Sequence, residues 1–117
     1  MTPQTRYHTG KAAEDQVARA YIDEGHAVLA RRWRGPLGEL DLVLEKDGEM
    51  VFVEVKASRD FARAAAALTR RQIGRILRSA EHFLGVWDRS QFTPCRFDVA
   101  LVDRFGRIDR IANAISH

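Results

Sequence analysis

Very little in this 117-residue sequence serves to staple, anchor or loosen a chain. A single cysteine, Cys95, leaves no internal disulfide and suits a reducing compartment. No apolar run approaches the ~18 residues that a membrane span needs. Met1 to Thr9 lack the apolar stretch of a signal peptide. The expectation is a soluble, cytoplasmic protein with no membrane partner. Low-complexity linkers and internal repeats are missing too. At 45% hydrophobic and 30% charged, the composition is neither collagen-like nor disordered. The length fits one domain, residues 1–117, able to bury roughly two-thirds of the surface of its unfolded chain.

Several catalytic signatures are also absent. His8, His26, His82 and His117 are too scattered to build a zinc site with Cys95. Gly35-x-x-Gly38 lacks the Lys-Ser/Thr of a phosphate loop. There is no serine nucleophile elbow.

What is present is charge, unevenly divided. The net charge is +3, and 16 of the 19 basic residues are arginine. Residues 1–58 carry 8 Lys/Arg against 10 Asp/Glu, a net −2. Residues 59–117 carry 11 Arg against 6 Asp/Glu, a net +5. The acidic half suits a metal ion, and the arginine-rich half suits a polyanion, because the planar guanidinium fork matches phosphate.

Hydrophobic spacing predicts a helix over 9–25, with Thr9 as its N-cap and Gly25 as its C′ stop. Its apolar stripe is Ala13, Val17, Ala18, Tyr21 and Ile22. Strands are expected over 26–34, 39–45 and 50–56, the last two joined at Asp47-Gly48. Residues 57–68 carry no clear period. Thr69 to Gln72 fits a capping box, opening a helix over about 70–86. A strand over 96–102 places Phe97, Val99 and Leu101 on one face, and 107–111 suits a short fifth strand. The expected fold is α/β: a mixed central sheet of four to five strands flanked by helices, in the order α-β-β-β-α-β.

The hairpin turn sets a register. With Asp47-Gly48 as the two-residue turn, Leu44 faces Val51, Leu42 faces Val53 and Leu40 faces Val55, all on one apolar face. On the other face Val43 meets Phe52, Asp41 meets Glu54 and Glu39 meets Lys56. Two carboxylates opposed across a sheet repel and push one pKa up. A divalent cation removes the conflict, since oxygen ligands are what Mg²⁺ or Mn²⁺ takes. Lys56 follows Glu54 by two residues and shares its face, where an ammonium can orient water or stabilise charge on a phosphate. Asp41, Glu54 and Lys56 are therefore the candidate catalytic residues for metal-assisted phosphodiester hydrolysis. The ordinary alternative is an exposed strand face with a solvated Glu39–Lys56 ion pair.

Glu14 shares its helix face with Val17, Ala18 and Tyr21 and has no basic residue at i+3 or i+4. It is either a third metal ligand or a stripe-edge glutamate reaching water. Arg71, Arg75, Arg78 and His82 form one stripe on the second helix, with Arg63 and Arg70 nearby in sequence. Such a stripe is the footprint of phosphate-backbone binding, with a solvated face as the alternative. Arg31, Arg32 and Arg34 form a second basic cluster, and Trp33 within it is read as core rather than as a base-stacking ring. Asp98, on the polar face of its strand, is read as a surface carboxylate rather than as a support for the site.

Five motifs occur in order at familiar spacings: Gly10-Lys-Ala-Ala-Glu14, Trp33-Arg34, Gly38-Glu-Leu-Asp41, Val51-Phe-Val-Glu-Val-Lys56 and Arg96-Phe-Asp-Val99. On these the chain resembles the YraN-like family of small bacterial proteins over nearly its whole length. That family resembles Holliday-junction resolvases and restriction endonucleases of the PD-(D/E)xK fold. The resemblance implies a restriction-endonuclease-like core and Mg²⁺-dependent cleavage of nucleic acid, DNA rather than RNA, with selectivity for branched or single-stranded DNA as a further expectation. It assigns the metal to Asp41, Glu54 and Glu14, and it places Lys56 beside them. Gln72 either joins Arg71, Arg75 and Arg78 at the nucleic acid or serves only the capping box. Leu40 stands where the wider group has Pro, and Ala57-Ser58-Arg59-Asp60-Phe61-Ala62 replaces the usual Thr-Arg and Phe-Gly. Resolvase-like proteins often work as symmetric dimers, so a homodimer is a further expectation. A non-catalytic nucleic-acid-binding module on the same fold is the alternative function.

Overall fold

The structure, a computed structural model, describes the backbone of residues 3–90 and 92–115, with side chains from residue 10 onward. It is mixed α/β. Helix α1 spans Pro3–Asp23, strands β1, β2 and β3 span Ala27–Gly35, Gly38–Lys46 and Glu49–Ala57, and helices α2 and α3 span Phe61–Ala66 and Arg70–Val86. Strands β4 (Cys95–Val102) and β5 (Ile108–Ile111) complete a five-stranded sheet in the order β1-β2-β3-β4-β5. Only β3 and β4 are parallel, and α2 and α3 make the crossover that parallel pairing requires. Among the described residues no helix is long and apolar enough to cross a membrane.

Helix α1 begins at Pro3, so Thr9 lies inside it rather than capping it. A proline is tolerated in a helix's first turn because its missing N–H would have no partner there. The predicted stop holds. Gly25 adopts φ +96, its N–H donates to Ile22 O, and His26 N–H donates to Tyr21 O. Those two bonds make a Schellman cap, which needs a left-handed residue where Gly25 stands. The β2–β3 turn also follows the prediction, with Asp47 at φ 51 and Gly48 at φ 81, as a type I′ turn demands. Residues 57–68, which show no period, contain α2. Its N-cap is Asp60, whose side chain accepts from Arg63 N–H.

Both faces of the sheet are buried, not one. Leu42, Leu44, Val51 and Val53 pack under Ala13, Val17, Ala18 and Tyr21 of α1. Ile22, expected in that stripe, is exposed. Val43, Met50, Phe52, Phe97, Val99 and Leu101 pack under Ile76, Ala80, Phe83 and Leu84 of α3. Phe83 is the centre of this second layer, edge-on to Phe52 at 5.9 Å and to Trp33 at 5.2 Å. Trp33 is thus core, as read from sequence. Leu40 departs from the expected face and joins the α3 layer. Across from this stretch of β2, Arg32, between the registered residues Arg31 and Trp33, takes φ 47.

Candidate functional site

The β2–β3 ladder runs in the predicted register from Lys46↔Glu49 to Leu42↔Val53 and then stops. Continued in that register, Val55 N–H would donate to Leu40. Instead it donates to Asp41 Oδ2 at 2.9 Å. The aspartate thus takes over a ladder bond, and the strands part at that point. Asp41 and Glu54 meet there through their side chains, not as a registered backbone pair. Glu39, expected across from Lys56, lies instead beside Arg34 at 3.3 Å, on the β1 side.

On central strand β3, Glu54 and Lys56 project to the same face as Phe52, toward the α2–α3 layer. Lys56 Nζ stands 3.3 Å from Glu54 Oε1, and their side chains are 17% and 12% exposed. This is no solvated surface pair. The Glu54 carboxyl is pushed up to about 8, first by burial, then by the charge of Asp41 and a hydrogen bond shared with it, against the opposing pull of Lys56. Burial and the facing carboxylate thus favour the protonated form of Glu54.

Glu14 is held elsewhere. Its two carboxylate oxygens accept from Arg32 Nε at 2.7 Å and Arg32 Nη2 at 3.1 Å. Among the described residues no group of three or more His, Cys, Asp or Glu is gathered in a way that suits a metal ion. Asp41 and Glu54 are therefore a two-carboxylate set. That fits Mg²⁺, which usually takes one or two protein carboxylates and fills its octahedron with water and substrate oxygens. The partner of Glu14 was not legible because Arg32 is 18 residues away on another element.

Gln72 forms the predicted capping box. Its N–H donates to Thr69 Oγ1 at 3.2 Å, and its Oε1 accepts from Thr69 N–H. Arg71, Arg75 and Arg78 are all exposed on α3. Arg75 reaches the site's rim. Its side chain lies against Gly38, where a Cβ would meet Arg75 Cδ at 2.7 Å, and Gly38 is three residues before Asp41. Arg78 and His82 continue the stripe along a shallow groove with Leu37, Glu81 and Val86.

Asp98 is not on the surface. It is 2% exposed and lies on the α1 face, away from Glu54. It accepts from Tyr21 Oη at 2.6 Å, Arg96 Nε at 2.9 Å, Arg96 Nη2 at 3.1 Å and Asn113 N–H at 2.9 Å. Burial and this hydrogen bond raise the Tyr21 phenol. A signal was available: Ala100 and Val102 follow on the same face and are apolar, which an exposed face would not be.

A family model described as uncharacterised protein family UPF0102 matches residues 13–102. A UPF0102 protein of Ruegeria pomeroyi is 51% identical over 114 residues, covering 97% of this chain and 93% of its own. Another, from Cereibacter sphaeroides strain KD131, is 49% identical over 116 residues and 99% of each chain.

The chain belongs to the UPF0102 family.

This bears out the YraN-like resemblance. Glu14, Asp41, Glu54, Lys56 and the α3 arginines all lie within the UPF0102 match, whereas the turn after Val102 lies beyond it. The family description names no reaction, so the chemistry rests on the site.

Proposed function

We propose that this UPF0102 protein is a metal-dependent nuclease that hydrolyses phosphodiester bonds of DNA, with Asp41 and Glu54 holding Mg²⁺ or Mn²⁺. One observation carries this reading: two carboxyls are forced together where a sheet parts, with a lysine beside them. Opposed buried carboxylates are unfavourable, and a cation resolves the conflict. The ion would supply Lewis-acid polarisation of the scissile phosphate and a water of lowered pKa. Asp41 is fixed for this role by the Val55 N–H, which anchors one oxygen. Lys56, 3.3 Å from Glu54, orients the attacking water and stabilises charge on the phosphate as it develops. Arg75, at the rim, and Arg71 and Arg78 beyond it hold the phosphate backbone and set its direction past the carboxyls. Gln72 serves the helix cap.

A second reading, a binding module that does not cut, is favoured by the engagement of Glu14 with Arg32. Cleavage of labelled branched, duplex and single-stranded DNA with Mg²⁺ or Mn²⁺ separates the two. Under the nuclease reading, Asp41→Ala, Glu54→Ala and Lys56→Ala each lower the rate by about 100-fold or more. An absence of cutting on every substrate, with metal affinity unchanged in Asp41→Ala, leaves the binding module.

A further inference from the structure

The turn between β4 and β5 presents a phenylalanine to water. Phe105 is 69% exposed, yet the turn that carries it is firmly built. Asp103, 3% exposed, accepts from the N–H of Phe105 and of Arg107, each at 2.9 Å, and from Arg107 Nε at 2.6 Å. Asp103 N–H in turn donates to Arg107 O, and Gly106 N–H to Asp103 O. A buried carboxylate is thus committed to holding an apolar ring in solvent. Nothing in the packing of the sheet requires that ring.

Its surroundings are cationic. The guanidinium groups of Arg104 and Arg107 lie 4.8 and 5.4 Å from the Phe105 centroid. Arg107 also reaches to 6.0 Å from the ring of Phe61 on α2. Arg104 N–H donates to Arg59 O, which ties the turn to the segment after β3. Of Arg59, Arg63, Arg104 and Arg107, Arg63 is paired with Asp60 and Arg107 with Asp103, leaving two positive charges in excess on these segments. The turn lies at the same end of the parallel β3–β4 pair as Lys56. Val102 is registered with Ala57, the residue after Lys56, and Phe105 follows three residues later. At ~3.3 Å per residue and ~4.8 Å between strands, Phe105 lies within roughly 15 Å of Ala57.

We propose that Phe105, flanked by Arg104, Arg107 and Arg59, is a stacking platform for an unpaired base of the nucleic-acid strand whose backbone passes Asp41, Glu54 and Lys56. This rests on the nuclease reading and narrows its substrate to single strands or structures with a single-stranded arm. An exposed aromatic face takes any base by stacking, and neighbouring guanidinium groups take the flanking phosphates. A continuous duplex keeps its bases stacked on each other and offers the ring nothing.

Fluorescence anisotropy at fixed low salt with chelator present tests this, using a labelled thymidine oligonucleotide and a labelled hairpin duplex. Phe105→Ala is expected to weaken the single strand by about tenfold or more and the duplex by less than about twofold. Phe105→Trp retains single-strand affinity, while Arg104→Ala weakens both and, when the titration is repeated across a salt series, lowers the salt slope by about one. Each variant melts with the wild type, because the ring is exposed. Unchanged single-strand affinity in Phe105→Ala overturns the platform and leaves the nuclease reading standing. Equal losses on both probes also overturn it. Binding of neither probe by the wild type overturns both proposals.

Discussion

Two acidic residues on adjacent central strands, Asp98 buried on one face of the sheet and Glu54 part-buried on the other, are treated in opposite ways. Asp98 accepts four hydrogen bonds, two of them from one arginine, and the α1 layer closes over it. Glu54 faces another carboxyl, with one lysine 3.3 Å away, and is held above its ordinary range. A satisfied buried carboxylate stabilises the native packing. A frustrated one costs stability in the folded protein, and its persistence points to a ligand that removes the cost. The more deeply buried of the two is also the one with the donors.

That contrast breaks most sharply in stability. Asp98→Ala strips partners from Tyr21 and Arg96 and is expected to cost about 3 kcal/mol in denaturant unfolding. Glu54→Gln at pH 8 without metal is expected to do the reverse and stabilise by about 1–2 kcal/mol, since a neutral amide removes the conflict with Asp41. A destabilised Glu54→Gln would place Glu54 with Asp98 as a structural residue.

The pH dependence sharpens the same contrast. Glu54 binds its proton more tightly folded than unfolded, so its contribution is greatest below its ordinary value of 4.5 and falls as pH rises to about 8. Unfolding free energy of the metal-free protein therefore declines across that window, and Glu54→Gln flattens the decline. A smaller effect separates Glu14 from the pair. With its carboxylate held by Arg32, Glu14→Gln is expected to shift Mn²⁺ affinity by less than about threefold and stability by under about 1 kcal/mol.

Much of this was legible in the sequence, for definable reasons. Asp47-Gly48 dictates a type I′ turn, and the turn fixes a register that holds as far as Leu42↔Val53, one residue short of Asp41 and Glu54. The Thr69–Gln72 box and the Gly25 stop were readable because capping uses few residue types at fixed spacing. What escaped depended on layers. The pairing of Glu14 with Arg32, and of Glu39 with Arg34 rather than Lys56, depends on how α1 and β2 lie against β1. The burial of Asp98 depends on α1 covering its face of β4, which Ala100 and Val102 alone mark as apolar. The parting of β2 from β3 arises from a side chain replacing a backbone acceptor, which no periodicity records.

The most direct test of the central claim is calorimetric titration of Mn²⁺ into the wild type, Asp41→Asn and Glu54→Gln near pH 7, in two buffers of different ionisation enthalpy. The account predicts binding to the wild type with release of about one proton, as the ion displaces the one that Glu54 holds. Both variants should lose affinity, and Glu54→Gln should lose the proton release as well. Wild-type binding without proton release, or equal affinity in all three proteins, would contradict a cation seated between Asp41 and Glu54.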